Sequence, residues 1–222
     1  MHRTVAFDVY GTLFDLARLT ASCEEAWPGY GQTLADMWRR KQLEYSWQRS
    51  LMRRYAPFDV VTREALEYSC KALGVELNSA SKRATMSAYA QLAPYADALE
   101  LVDELAKGGC SLAVLSNGTR AMVEPIVRRA FGSTIATIAS VDSARMYKPA
   151  PEAYEVLAST LGTPPPSIVF VTANAWDAAG ASAHGMRVVW VNRTGVPIDP
   201  IALPGVEVLP DLGAVLKFVL GA

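Results

Sequence analysis

The chain alternates between short apolar runs and longer stretches with helical spacing. The runs are TVAF (4–7), SLAVLS (111–116), TIATI (134–138), SIVFVT (167–172), RVVWVN (187–192) and the weaker VEVL (206–209). They are nearly continuous rather than alternating, which is the pattern of strands covered on both faces of a parallel sheet. Between them, ALELVDELAK (98–107) stops at Gly108-Gly109, and PEAYEVLASTLG (151–162) runs from a proline to a glycine. Both have ordinary helix start and stop signals. Strands alternating with helices predict an α/β fold whose ligands lie beyond the carboxyl ends of the strands.

The alternation breaks once. Between Asp15 and Pro94 there is helical periodicity and no convincing strand. Helices are expected over 33–55, 61–74 and 79–92. The reading is therefore a Rossmann-like parallel-sheet core, residues 1–15 and 95–222, with an inserted helical cap domain at 16–94. The insertion leaves the core just after its first strand, which predicts a lid over that strand end.

Composition narrows the function classes. The 222 residues are 51% hydrophobic and carry 21 basic and 22 acidic side chains, for a net charge of -1. That balance gives no electrostatic basis for binding nucleic acid or an anionic membrane. No apolar run is long enough to span a bilayer. The cysteines, Cys23, Cys70 and Cys110, are odd in number and lack metal-ligand spacing. A reducing compartment follows, and with strand-like sequence starting at Thr4 the expectation is a cytoplasmic protein without a signal peptide.

Polar groups gather just past the strand ends: Asp8, Ser116-Asn117, Lys148 in RMYKP, and Asn174 with Asp177 in TANAWD. Each has a plain alternative. Asp8 and Asn117-Gly118 suit turns, Lys148 a solvated loop, and Asp177 a cap of the helix DAAGASAHG (177–185). Their convergence on one edge of one sheet favours a site, with Asp8 as the nucleophile. Arg39 shares a helix face with Leu43 and Trp47 at steps of four. An arginine on such a stripe either snorkels or faces an anion; Arg40 and Lys41 point elsewhere and read as a solvated face. Phe58 and Trp176 are apolar walls or ordinary core. His2 is terminal, and His184 precedes Gly185 at a helix end, where a dipole interaction accounts for it. No Ser-His-Asp or Cys-His set and no dinucleotide glycine turn is present in the sequence.

In order and spacing, FDVYGTLFD, SNG and YKP resemble the haloacid dehalogenase superfamily. WRRKQLEYSW, SVD before YKP, and FVTANAWDAAGA followed by VNRTG resemble its L-2-haloacid dehalogenases. The resemblance covers nearly the whole chain. The superfamily's phosphatases carry a second aspartate two residues after the nucleophile, as general acid and as part of the Mg²⁺ site; here that residue is Tyr10. A halide leaving group requires no acid. The resemblance thus implies displacement of halide from a short 2-haloalkanoic acid by Asp8, with inversion at C2. Water then hydrolyses the aspartyl ester to a 2-hydroxy acid, with no metal and no organic cofactor. It places Lys148, Asp177, Asn174, Thr172 and Thr12 with the catalytic group. Thr172 stands where many relatives have serine, keeping the hydroxyl with a stiffer χ1. It assigns the halide to Arg39 and Asn117, and the substrate carboxylate to backbone amides at Tyr10-Gly11 and to Ser116. Leu43, Phe58, Tyr154 and Trp176 complete the substrate surface, Tyr154 being equally a packing residue of its helix. Two rival readings are a phosphatase on the same fold and a non-catalytic binding protein using the same pocket. The family includes dimers, so the resemblance implies a homodimer.

Overall fold

The computed structural model describes residues 3–198, 201 and 205–221; His2 lies outside them. The six apolar runs form one six-stranded sheet, β1 (Thr4–Phe7), β2 (Ser111–Ser116), β3 (Thr137–Ser140), β4 (Ile168–Thr172), β5 (Arg187–Val191) and β6 (Glu207–Leu209). The strand order is β3-β2-β1-β4-β5-β6 and every pairing is parallel. Parallel strands demand crossovers, and helices supply them on both faces. The strands β1 and β4 are buried throughout, as continuous apolar runs must be.

This order fixes where a ligand goes. The chain winds outward from β1 through β2 to β3, then returns to the other side of β1 with β4. The crevice lies where the winding reverses, outside the carboxyl ends of β1 and β4. The register sets Phe7 beside both Val114 and Val171. The residues following these positions therefore emerge side by side at that edge.

The helices are α1 (Ala17–Ala26), α2 (Gly31–Leu51), α3 (Phe58–Leu73), α4 (Ser79–Ser87), α5 (Ala96–Lys107), α6 (Arg120–Phe131), α7 (Pro151–Leu161), α8 (Ala175–Ala183) and α9 (Leu212–Leu220). Helices α1 to α4 lie between β1 and α5. The segment leaves and returns at one point: Asp15 N donates to Ala93 O and Tyr95 N to Leu13 O, each at 2.9 Å.

Several boundaries differ from the periodicity reading. The third strand starts at Thr137 rather than 134, because Ile135 is buried as a loop residue. Helix α2 stops at Leu51, four residues early, as Arg53 turns left-handed at φ 54°. Helix α1 has no apolar stripe to betray it; its buried residues are Leu19, Ser22 and Cys23. Helix α6 carries Pro125 in its interior, which masks it as a helix. Helix α8 begins at Ala175, so Asp177 sits inside its first turn and makes no side-chain cap.

The sheet also carries the site from beneath. Phe170 of β4 is fully buried, with the Tyr154 ring at 6.0 Å and Lys148 Nζ at 5.4 Å from its centroid. Phe170→Ala is expected to cost about 3–5 kcal/mol of stability by denaturant unfolding. A loss below about 1 kcal/mol would mean that the site does not rest on this ring.

Candidate active site

Asp8 directly follows β1, and its amide continues the ladder by donating to Val171 O at 2.9 Å. The carboxylate is 5% exposed overall, so its charge must be met locally. Oδ1 accepts from Lys148 Nζ at 2.7 Å. Oδ2 accepts from Thr12 Oγ1 at 2.8 Å and from Asn174 Nδ2 at 2.9 Å. Thr12 is held in turn by Ala173 N, which donates to its Oγ1 at 2.9 Å. The turn that brings Thr12 back under Asp8 passes through Gly11 at φ 83°, a conformation that favours glycine.

Lys148 is 1% exposed and uses all three of its N–H donors. They reach Asp8 Oδ1, Asp177 Oδ2 at 2.8 Å and Leu115 O at 3.3 Å. Its loop is pinned by Asn117, whose Oδ1 accepts from Lys148 N at 2.9 Å. The end of β2 thus orients the ammonium that serves the end of β1.

Asp177 is fully buried. Its Oδ1 accepts from Tyr154 Oη at 2.7 Å. The Tyr154 hydroxyl lies against Gly180, where an added Cβ would fall 2.4 Å from it, so glycine is required for this approach. Burial raises the Asp177 pKa from 3.8; Lys148 pulls it down and Asp8 pushes it further up. Burial opposes the charge of Lys148, yet Asp177 and Asp8 hold its pKa above 10.5. Both Asp177 oxygens accept from donors, which is the bonding of an ionised carboxylate. Thr172 is buried and its Oγ1 accepts from Asn174 N at 3.1 Å, fixing the turn into α8.

The cluster of two carboxylates and one ammonium carries one net negative charge. An anionic ligand approaching it needs a positive partner. Arg39 of α2 is half-buried, donates to Gln42 Oε1 at 2.7 Å, and acts electrostatically on Tyr10 and Tyr89. It therefore faces the site rather than merely snorkelling, while Arg40 is exposed. Phe58 is buried and stacked on Tyr10, with ring centroids 6.2 Å apart. Trp176 is half-buried and meets Trp47 of α2 at 5.6 Å. Leu43 is half-buried beside Arg39 and Trp47 along one cleft. Ser116 is fully buried and its Oγ accepts from Gly118 N at 3.0 Å, leaving its hydroxyl proton to donate. His184 packs its ring on Tyr154 at 6.0 Å behind the cluster, away from Asp8's other partners.

The periodicity reading missed what supports Arg39. Gln42 is fully buried and its Nε2 donates to Thr62 Oγ1 at 2.6 Å and to Tyr89 Oη at 2.9 Å. Gln42 lies on the buried face of α2 with Leu34, Trp38 and Ser46, and nothing local in the sequence ties it to Thr62 and Tyr89. It missed Gly180 as well, which reads as a helix-interior glycine until Tyr154 is placed against it.

Residues 2–185 match the model of the haloacid dehalogenase-like hydrolases. An (S)-2-haloacid dehalogenase of Pseudomonas sp. (strain YL) is 41% identical, the match covering 86% of this chain and 83% of that protein. The chain belongs to the L-2-haloacid dehalogenase family. A crystal structure of one L-2-haloacid dehalogenase superposes with a TM-score of 0.95 at 36% identity, covering 100% of this chain and 99% of the other. The Xanthobacter autotrophicus enzyme, solved with chloropropionic acid covalently bound, gives a TM-score of 0.91 at 36% identity, covering 100% and 99%.

The electrostatics predict a pH signature for removing the cation. Lys148→Met strands two buried carboxylates, a loss of about 3–5 kcal/mol near neutrality. In the wild type the raised Lys148 pKa means that its contribution is complete below 10.5 and is lost as pH rises through the folded value. The raised Asp177 pKa means that its burial costs stability increasingly as pH climbs from 3.8 through the folded value. The deficit of the Met variant should therefore shrink from about pH 7 to about pH 5, as the Asp177 carboxylate, no longer held down by the cation, takes up a proton. Urea unfolding of both proteins across this range checks it; a deficit independent of pH would contradict the assignment.

Proposed function

We propose that this protein is an (S)-2-haloacid dehalogenase that hydrolyses short 2-haloalkanoic acids to 2-hydroxy acids with inversion at C2. The observation that carries the reading is the Asp8 carboxyl group held by Lys148, Thr12 and Asn174, with Tyr10 rather than an acid two residues on. An Asp8 oxygen attacks C2; the C–X electron pair leaves with the halide, and an ester links Asp8 to the acid. Arg39 and Asn117 receive the halide, while the amides at Tyr10-Gly11 and the Ser116 hydroxyl hold the substrate carboxylate. Water then attacks the ester carbonyl carbon of Asp8. Asp177 takes one proton from that water; the tetrahedral intermediate breaks its bond to the product oxygen, which takes the second water proton and leaves as the 2-hydroxy acid, Asp8 is restored as a carboxylate, and Asp177 gives its proton to solvent. Its relative with chloropropionic acid covalently bound supports the ester route.

The reaction is metal-independent in this reading. Support comes from Lys148, whose ammonium bridges Asp8 Oδ1 and Asp177 Oδ2, where a divalent ion shared by the two carboxylates would have to sit. That argues against the phosphatase alternative, as does Tyr10. The hydrogen-bonded catalytic set argues against a purely binding role. Residues 16–94 serve as the cap: Arg39, Phe58 and Trp47 of α2 and α3 meet core residues Tyr10 and Trp176. A reducing, cytoplasmic setting is proposed from the odd count of three cysteines; homodimerisation is proposed from the family resemblance.

Halide release from both enantiomers of 2-chloropropionate, with and without EDTA, tests the reading. The (S) enantiomer should yield chloride and (R)-lactate at a rate untouched by EDTA, and Asp8→Ala should abolish release while retaining its circular dichroism. Mg²⁺-dependent phosphate release without dehalogenation would overturn it.

A further inference from the structure

Tyr10 is more than the residue that replaces an acid. Its side chain is 3% exposed, and its hydroxyl has no hydrogen-bond partner among the described residues. A buried, unsatisfied hydroxyl destabilises a fold, and phenylalanine would fill the same space without that cost. The group is also held firmly. The ring stacks on Phe58 and takes the edge of Tyr89 at 5.4 Å. Its far end lies against Gly118, where an added Cβ would stand 2.9 Å from the phenol oxygen and 2.8 Å from Val123 Cγ2. Glycine at position 118 makes room for the phenol next to Asn117.

The surroundings identify what the hydroxyl serves. Arg39 on the cap acts on it electrostatically, and Asn117 precedes the glycine it touches. Tyr89 and Gln42, which also face Arg39, satisfy each other at 2.9 Å. Tyr10 is the member of this group left with a proton to give. Resting on the functional reading above, we infer that the Tyr10 hydroxyl is a third donor to the departing halide, alongside Arg39 and Asn117, and sets the halide preference. Burial keeps the phenol protonated, raising its pKa well above 10.0. A donor unsatisfied at rest and satisfied as charge builds on the leaving atom favours the transition state over the ground state.

The test is Tyr10→Phe, which keeps the ring and removes the donor. Circular dichroism and thermal unfolding should show an intact fold. Hydrogen-bond acceptance falls from fluoride through chloride to bromide, so kcat/KM should fall by about tenfold for chloroacetate. The loss should be smaller for bromoacetate and larger for fluoroacetate, among those that the wild type turns over. Chloride binding, followed by tryptophan fluorescence of the free protein, should weaken in parallel. Equal proportional losses for all halides would assign the phenol to the substrate carboxylate and overturn the inference, as would no loss. A wild type that releases no halide defeats the functional reading separately; chloride affinity then decides this one, and equal or absent binding in both proteins overturns it. Replacing Tyr10 by 3-fluorotyrosine supplies a second arm, with a more acidic donor in the same ring. It should hold chloride at least as tightly as the wild type, and weaker binding would count against the inference.

Discussion

One buried ammonium holds this site together. Lys148 sits between Asp8 and Asp177, touching both at hydrogen-bond distance and almost free of solvent. Two carboxylates this close repel each other and resist burial; with the cation between them, both can remain ionised in a dry crevice. The arrangement leaves one net negative charge at the sheet edge. That charge explains why an anionic substrate needs the arginine that α2 brings to the site. The sheet edge, the Lys148 loop and the first turn of α8 each contribute one member, so the cluster exists only in the folded chain.

Helices α1 to α4 complete what the sheet begins. Helix α2 brings Arg39 toward Tyr10, and Gln42 fixes it from behind through Thr62 and Tyr89. Ser50 at the far end of the same helix accepts from Tyr147 N at 2.9 Å, tying α2 to the loop that carries Lys148. The aromatic surface of Phe58, Tyr10 and Tyr89 excludes water from one side of the site. In the proposed reaction, dryness strengthens the attraction between a departing halide and its donors. It also limits direct attack by solvent on the haloacid.

Much of this was legible from periodicity and punctuation. Continuous apolar runs identified the strands because both faces of the sheet are covered, and polar residues just past them identified the crevice. Asp8 was readable since charge at the end of a buried strand has few structural excuses; Lys148 and Asp177 each had a plain alternative and became readable through their convergence on the same sheet edge. The helices α1 and α6 were hidden, one by lacking an apolar stripe and the other by Pro125. Gln42, Gly118 and Gly180 were hidden for a different reason. Their roles lie in what approaches them from distant parts of the chain, and no local pattern carries that information. The motif resemblance went further than the pattern because it located Arg39, whose face alone allowed two readings.

The new oxygen of the product comes from Asp8 in the ester route. A single turnover in ¹⁸O-water, with enzyme in excess over (S)-2-chloropropionate, tests it directly. In the ester route water replenishes the carboxylate, so mass spectrometry should find the label in the peptide AFDVYGTLFD and not in the lactate. Label in the lactate with Asp8 unlabelled would mean that water displaces the halide directly, and would reduce Asp8 to a base.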